Sequence, residues 1–192
     1  NQNKLTQEFP DIKIYKNLDE SFMNDSDGYT VATPPSTHFN IGMDIINRHK
    51  PVLIEKPLTL DYDSSKQLVD LAEEKNVNLM VGHLLLFHPA IKKIKELIDN
   101  NYIGELKYIY SNRLNLGTIR SDENVFWSFA PHDISIFQYL LEDIPVRINS
   151  FDYSYSQNNT SDIFTATFEY KNNIKGHIFT SWINPFKEHK LV

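Results

Sequence analysis

The chain has 192 residues, of which 41% are hydrophobic, 23% charged and 12% aromatic, a balance that excludes disorder and collagen-like repetition. Lys+Arg 19 against Asp+Glu 25 gives a formal charge of −6, so no basic surplus favours nucleic acid or an anionic membrane surface. With 0 cysteines there is no disulfide framework, thiolate metal site or thiol nucleophile, which fits a reducing compartment, and no apolar run approaches the roughly 20 residues that span a bilayer.

The chain opens at Asn1 and stops at Lys190-Leu191-Val192, which reads as the start of a strand, so both ends look like those of a fragment. Residues 1–82 read as alternating strands and helices. Ile12 to Tyr15 is a short strand, Asp19 to Asn24 a turn or two of helix, and Gly28 to Ala32 a second strand that Pro34-Pro35 ends. Ser36-Thr37 serves as N-cap to a helix carrying Phe39, Ile41, Met43, Ile45 and Ile46 through Arg48. Pro51 to Ile54 is the next strand. Asp61 to Asn76 is a helix with Leu68, Leu71 and Ala72 at three- and four-residue spacing, and Val77 to Val81 is a fourth strand closed by Gly82. Apolar strands separated by helices predict a doubly wound α/β unit with a parallel sheet buried on both faces.

After Gly82 the pattern changes. Pro89 to Asn100 is a helix, and longer strands with antiparallel spacing follow at Leu106 to Leu116, Arg147 to Tyr155, Ile163 to Tyr170 and Ile174 to Trp182. Asn172-Asn173 supplies a hairpin turn, because Asn tolerates left-handed backbone. One helix, Pro131 to Leu141, interrupts this series with Ile134, Phe137, Leu140 and Leu141 on one face. Residues 83–192 therefore read as a truncated α+β unit with an open, mainly antiparallel sheet and helices on one side. Tyr108, Tyr110, Phe164, Phe168 and Phe179 are available for a homo-oligomer interface, less whatever helix packing takes.

In open α/β sheets ligands bind beyond the carboxyl ends of the strands. The Thr33-Pro34-Pro35-Ser36-Thr37-His38 loop opens a helix whose N-terminus could cradle a phosphate or ribose; equally, it could simply end a strand and cap a helix. Glu55-Lys56-Pro57 follows the next strand. A lysine held partly desolvated there moves toward its neutral form and toward acid–base use, with Glu55 to orient or moderate its charge; the alternative is an exposed ion pair. Trp127 to Asp133 brings His132, suited to proton transfer near neutral pH, with Asp133 or a carbonyl to fix its tautomer; a cap or a packed ring reads as well. Of the 7 histidines, His83 and His88 invite a metal reading, but their spacing fits no zinc pattern and no metal is expected. The overlapping sequons at Asn158 and Asn159 mark a polar loop. Arg113, Asn115 and Arg120 could meet a carboxylate or diphosphate, or be ordinary solvated surface.

Ala32 through His38, Glu55-Lys56-Pro57, Gly82 through Pro89 and Ile103-Gly104-Glu105 together resemble the Gfo/Idh/MocA oxidoreductase family over almost the whole chain. Ser111 to Arg113, Val125 to Trp127 and Ala130 to Ile134 look most like its UDP-N-acetylglucosamine(uronate) 3-dehydrogenase-like branch. The resemblance implies that 1–82 is the C-terminal part of a Rossmann dinucleotide-binding domain and 83–192 a substrate-binding and oligomerisation domain. It implies NAD or NADP, with NAD favoured, lined by Thr33, Pro34, Pro35, His38, Glu55, Lys56 and Pro57. Lys56 and His132 become the catalytic acid–base groups, and Arg113, Asn115 and Arg120 the sugar or diphosphate contacts.

Two features depart from the family. The aspartate often found four residues before the histidine is Ser128 here, so Lys56 and His132 must divide the proton work. The G-x-G-x-x-G unit, expected before residue 1, is not in the sequence, so the chain is expected to bind dinucleotide poorly and to expose surface that a full protein buries. The reading is a truncated cytoplasmic NAD(P)-dependent dehydrogenase acting on a ring hydroxyl of a nucleotide-linked amino sugar or uronate in surface-polysaccharide synthesis, without nucleic-acid or membrane partners. The alternatives are an NAD-dependent glycosidase or epimerase working by transient oxidation, and a non-catalytic dinucleotide-binding sensor.

Overall fold

The computed structural model describes residues 2–15, 17–19, 26–120, 123–156 and 160–192. A short helix, α1 (Gln2–Glu8), opens the chain. Ile12 to Tyr15 then runs on outside any sheet, with Ile12 60% exposed, in place of the expected strand. A lone strand of this length has no ladder to satisfy its backbone. The helix expected over Asp19 to Asn24 lies outside the described residues beyond Asp19, as do the asparagines of the two sequons.

Strands β1 (Tyr29–Val31), β2 (Val52–Ile54) and β3 (Leu79–Val81) form a parallel sheet in that order, three strands rather than four. Helix α2 (His38–Asn47) links the first pair, and α3 (Tyr62–Glu74), capped by Asp61 accepting from Ser64 N at 2.7 Å, links the second. Both crossovers step in the same direction, so right-handed connections place both helices on one face. There Ile46, Ile54 and Leu68 are sealed from solvent. Gly42 lets α2 approach, since a Cβ would stand 2.9 Å from both Ile54 Cδ1 and Leu68 Cδ2. The other face carries the in-register row Thr30, Leu53 and Met80, with Met80 44% exposed. The expected burial on both faces is met on one.

The second sheet is built from β4 (Tyr108–Leu116), β5 (Arg147–Tyr153), β6 (Ile163–Glu169), β7 (Lys175–Ser181) and β8 (Ile183–Leu191), in the order β5-β6-β7-β4-β8. Only β4 and β7 run parallel. Asn173 takes the left-handed backbone expected of the β6–β7 turn, at φ 59°. Lys190 and Leu191 end a strand rather than start one. Pro185 and the polar run after it hide β8 in the sequence, and both are tolerated because β8 is an edge strand.

Helices α4 (Pro89–Asp99) and α5 (Val125–Leu141) cover one face of this sheet, packing Ile91, Ile136 and Phe137 on Ile109, Phe168 and Ile178. Phe168 is thereby buried and Phe164 packs on Phe126, so helix packing removes both from the open face, where Tyr108, Tyr110 and Phe179 remain. Helix α5 begins at Val125, six residues before Pro131, capped by Asn124, whose Oδ1 accepts from Trp127 N at 3.1 Å. Pro131 is therefore not the first helical residue that the sequence predicts; the helix runs through it. No helix among the described residues is long and apolar enough to cross a membrane.

Candidate active site

At the end of β2 the chain turns through Glu55, Lys56 and Pro57, with a cis Lys56–Pro57 bond. Lys56 reaches across to α5, where its Nζ donates to the Ser128 carbonyl at 2.9 Å. Pro131 lies in the same stretch of the helix. It has no N–H to give the Trp127 carbonyl, and its ring crowds the preceding turn, so the backbone there is loosened. Burial holds the Lys56 pKa below the usual lysine range; Glu123 opposes the shift and Arg120 adds to it.

His132 sits in the middle of α5, not at its start. Burial, then the charges of Lys56 and Arg113, push its pKa down to about 4. Its Nδ1 is sealed off with no hydrogen-bond partner. Asp133, considered above as the group fixing the His132 tautomer, is occupied elsewhere. It takes Arg113 Nε at 2.8 Å and Nη2 at 2.9 Å, and Ser111 Oγ at 2.6 Å. Consecutive helical residues point about 100° apart, so Asp133 faces β4 while its neighbour does not.

Arg113 therefore forms a buried ion pair with Asp133 on the helix-covered face of β4. Arg120 is half exposed and pairs with the buried Glu123 carboxylate at 2.5 Å. Both arginines act electrostatically on Lys56. Asn115 lies further along β4 with its amide against Gly117, where an added Cβ would stand 2.7 Å from Nδ2.

In the loop after β1, Thr33 and Pro34 are exposed and Pro35 is half-buried. Thr37 does not cap α2 with its side chain; its N and Oγ1 both turn back to the Pro34 carbonyl, at 2.9 and 2.8 Å. His38 has no exposed surface to give a cofactor. Its ring lies between two carbonyls, Nε2 at 2.8 Å from Thr33 O and Nδ1 at 2.9 Å from Pro57 O, and so ties the loop after β1 to the turn after β2.

Glu55 folds over the end of β3. Its Oε2 accepts from Lys56 N at 3.3 Å, and a Cβ on Gly82 would stand 2.9 Å from that oxygen and 3.3 Å from Glu55 Cα. Because one of those contacts is backbone, Gly82→Ala is expected to displace Glu55 and to lower stability by about 1–3 kcal/mol. Thermal unfolding checks this; an unchanged midpoint would mean that Glu55 swings aside freely.

Two residues of the site escaped the sequence reading. Glu123 precedes the cap of α5 within a polar stretch that carries no periodic signal. His83, read in the sequence only as a metal ligand, directly follows Gly82; it feels the Lys56 charge and acts in turn on His132. The rule that pointed to the strand ends of β1 and β2 points equally to that of β3. His88 instead caps α4, its Nδ1 accepting from Ala90 N at 3.1 Å.

A parallel sheet whose strand ends present a half-buried lysine to a helix-borne histidine of a second, sheet-based unit is the layout of a two-part α/β oxidoreductase. The chain belongs to the Gfo/Idh/MocA oxidoreductase family: a model described as an oxidoreductase family with NAD-binding Rossmann fold matches residues 1–83, and the family's C-terminal domain model matches 91–192. UDP-N-acetylglucosamine 3-dehydrogenase of Acidithiobacillus ferrooxidans is 29% identical over 132 residues, covering 68% of this chain and 41% of that protein. The scyllo-inositol 2-dehydrogenase (NAD(+)) of Bacillus subtilis is 31% identical over 120 residues, covering 60% and 35%. A solved structure of GenD2 from gentamicin A biosynthesis, in complex with NAD, superposes with a TM-score of 0.89 at 21% identity, over 98% of this chain and 57% of that one. The chain spans less than half the length of these curated relatives.

Proposed function

We propose that the encoded protein is an NAD(P)-dependent dehydrogenase that oxidises a ring hydroxyl of a sugar or related polyol, with nucleotide-linked amino sugars and uronates as the first substrates to test. The observation that carries this reading is the convergence of Lys56 and His132, from separate units, with both pKa values lowered by burial. The two named dehydrogenases among the relatives support the substrate class.

The residues present fit a nicotinamide dinucleotide. The exposed turn at Thr33 to Pro35, the Glu55 to Pro57 turn and the Gly82 backbone sit side by side at the carboxyl ends of β1, β2 and β3, where such ligands bind in open α/β sheets. Bound there, the cofactor supplies the hydride acceptor. Lys56, held toward its neutral form, takes the proton of the reacting hydroxyl at Nζ. His132 is neutral above pH of about 4, and its proton belongs on Nε2, because a proton on Nδ1 would be buried without an acceptor. It therefore donates to the reacting oxygen. Oxidation is expected to speed up as pH rises through the lowered Lys56 pKa, since the protonated amine cannot accept. The aromatic side chains left on the open face of the second sheet fit contact with a second copy of the chain.

The test is nicotinamide reduction by the full encoded protein with NAD and NADP over a panel of nucleotide sugars and polyols. Turnover that drops about 100-fold or more in His132→Ala supports the reading. Tight dinucleotide binding with no turnover on any substrate overturns it in favour of a sensor.

A further inference from the structure

His83 stands apart from every role assigned so far, yet three features place it in the site. The Gly82 N–H donates to Ile54 O at 2.8 Å, which sets the end of β3 beside the Glu55-Lys56 turn. His83 itself has φ −78° and ψ 64°, and Leu84 N closes on Gly82 O at 2.9 Å. This is an inverse γ-turn, a tight strand ending that fixes where the ring leaves the backbone. The following turn, Leu84–Phe87, packs against α5 through Leu85 and Leu86, so the ring is held between the lysine and the helix that bears His132.

His83 also repeats the peculiarity of His132: its Nδ1 is buried with no partner. Buried polar atoms are nearly always paired, and two orphaned imidazole nitrogens flanking one lysine form a pattern rather than an accident of packing. A ring in this state keeps its proton on the other nitrogen, because an N–H at Nδ1 would be stranded. Burial and the Lys56 charge both disfavour a second proton on it. Each ring therefore offers one Nε2–H donor, and a polyol ring offers the matching acceptors, an oxygen on the reacting carbon and another on the carbon beside it.

We infer that His83 is a substrate-binding residue whose Nε2–H donates to the hydroxyl or acyl oxygen of the substituent on a carbon neighbouring the reacting one, so that the site selects rings carrying a vicinal diol or a hydroxyl beside an acylamino group. This rests on the dehydrogenase reading above. It assigns recognition to His83, donation at the reacting oxygen to His132 and proton uptake to Lys56. A site built to hydrogen-bond a substrate oxygen rejects the analogue that lacks it, because the donor is then left unpaired.

The experiment pairs His83→Phe with changes in substrate, in the full encoded protein. UDP-N-acetylglucosamine is compared with UDP-sugar analogues that lack the hydroxyl or acylamino group on one or the other carbon flanking the reacting one. For the parent sugar, His83→Phe should raise KM about 5- to 10-fold, the worth of one hydrogen bond, with kcat within about threefold. One of the analogues should show no further penalty in the variant, since it already lacks the acceptor. His83→Asn, which keeps an amide donor, should recover part of the loss and covers the case of a misfolded phenylalanine variant. Imidazole nitrogen chemical shifts of the wild type should report the Nε2–H form. Equal KM penalties on the parent and both analogues, or an Nδ1–H ring, overturn the assignment while leaving the dehydrogenase intact. Absence of wild-type turnover and of nucleotide-sugar binding overturns both.

Discussion

Lys56→Met is expected to lower kcat/KM for hydroxyl oxidation by about 100- to 10,000-fold, the usual worth of a positioned base, while leaving the fold unchanged. Methionine keeps the length of the stem but can neither accept the proton nor donate to the Ser128 carbonyl. Lys56→Arg sharpens the test. A guanidinium can still bond that carbonyl and still carries positive charge, but it does not deprotonate in a protein. If Lys56 works as a base, the arginine variant is as inactive as the methionine one. If arginine retains more than about a tenth of the activity, the role is electrostatic and the proton goes elsewhere. Steady-state rates against pH, with circular dichroism to verify folding, separate the two.

The second large effect is on stability. Asp162 is fully buried in the second unit and accepts from Tyr155 N and Ser156 N, both at 2.7 Å, and from Ser156 Oγ and Trp182 Nε1, both at 2.5 Å. Burial alone would raise its pKa; the donors outweigh it and pull the carboxyl down to about 2. Asp162→Ala would strand the indole N–H of the buried Trp182 together with two backbone donors. A loss of about 3 kcal/mol or more follows, which for a chain of this size lowers the melting midpoint on the order of 10 °C. The sign with pH is fixed by the depressed pKa: the stabilisation is present above the ordinary carboxylate range and fades as pH falls toward about 2. The wild type should therefore lose its advantage over the variant in acid. A gap that stays constant down to pH of about 2 would show that the carboxylate charge is not what holds the cluster.

This cluster also bears on the site. Ser161 O accepts from Val125 N at 3.0 Å, fastening the first turn of α5 to the segment that carries Asp162. The helix that positions Ser128 and His132 is thus anchored at its N-terminus by a polar network on the β6 side. Destabilising variants here are expected to slacken the site as well as the fold.

The candidate site was legible in the sequence where chemistry follows local rules. Glu55-Lys56-Pro57 after an apolar run, and a histidine within an apolar-faced helix, name the two groups that the fold brings together. The partners of those groups were not legible. Asp133 is adjacent to His132 in the chain, and adjacency suggested a pair; helical geometry turns it toward Arg113 and Ser111 instead. His38 sat in a loop that suggested ligand contact, and its ring is buried between two carbonyls. Glu123 pairs with Arg120 three residues before it, and a polar stretch carries no local signal that one member of such a pair is buried.

Legible in the residues alone were the parallel character of the first sheet, the mainly antiparallel character of the second and the family. Those properties are encoded in hydrophobic period, turn residues and short motifs, all of which are local. Packing between distant segments leaves one face of the first sheet bare, carries α5 through Pro131 with its Ser128 carbonyl on Lys56, and sets two imidazoles near that lysine with one nitrogen each unpaired. Each of these depends on residues far apart in the chain meeting across elements. Lys56 and Ser128, separated by 72 positions, meet only after both units have packed.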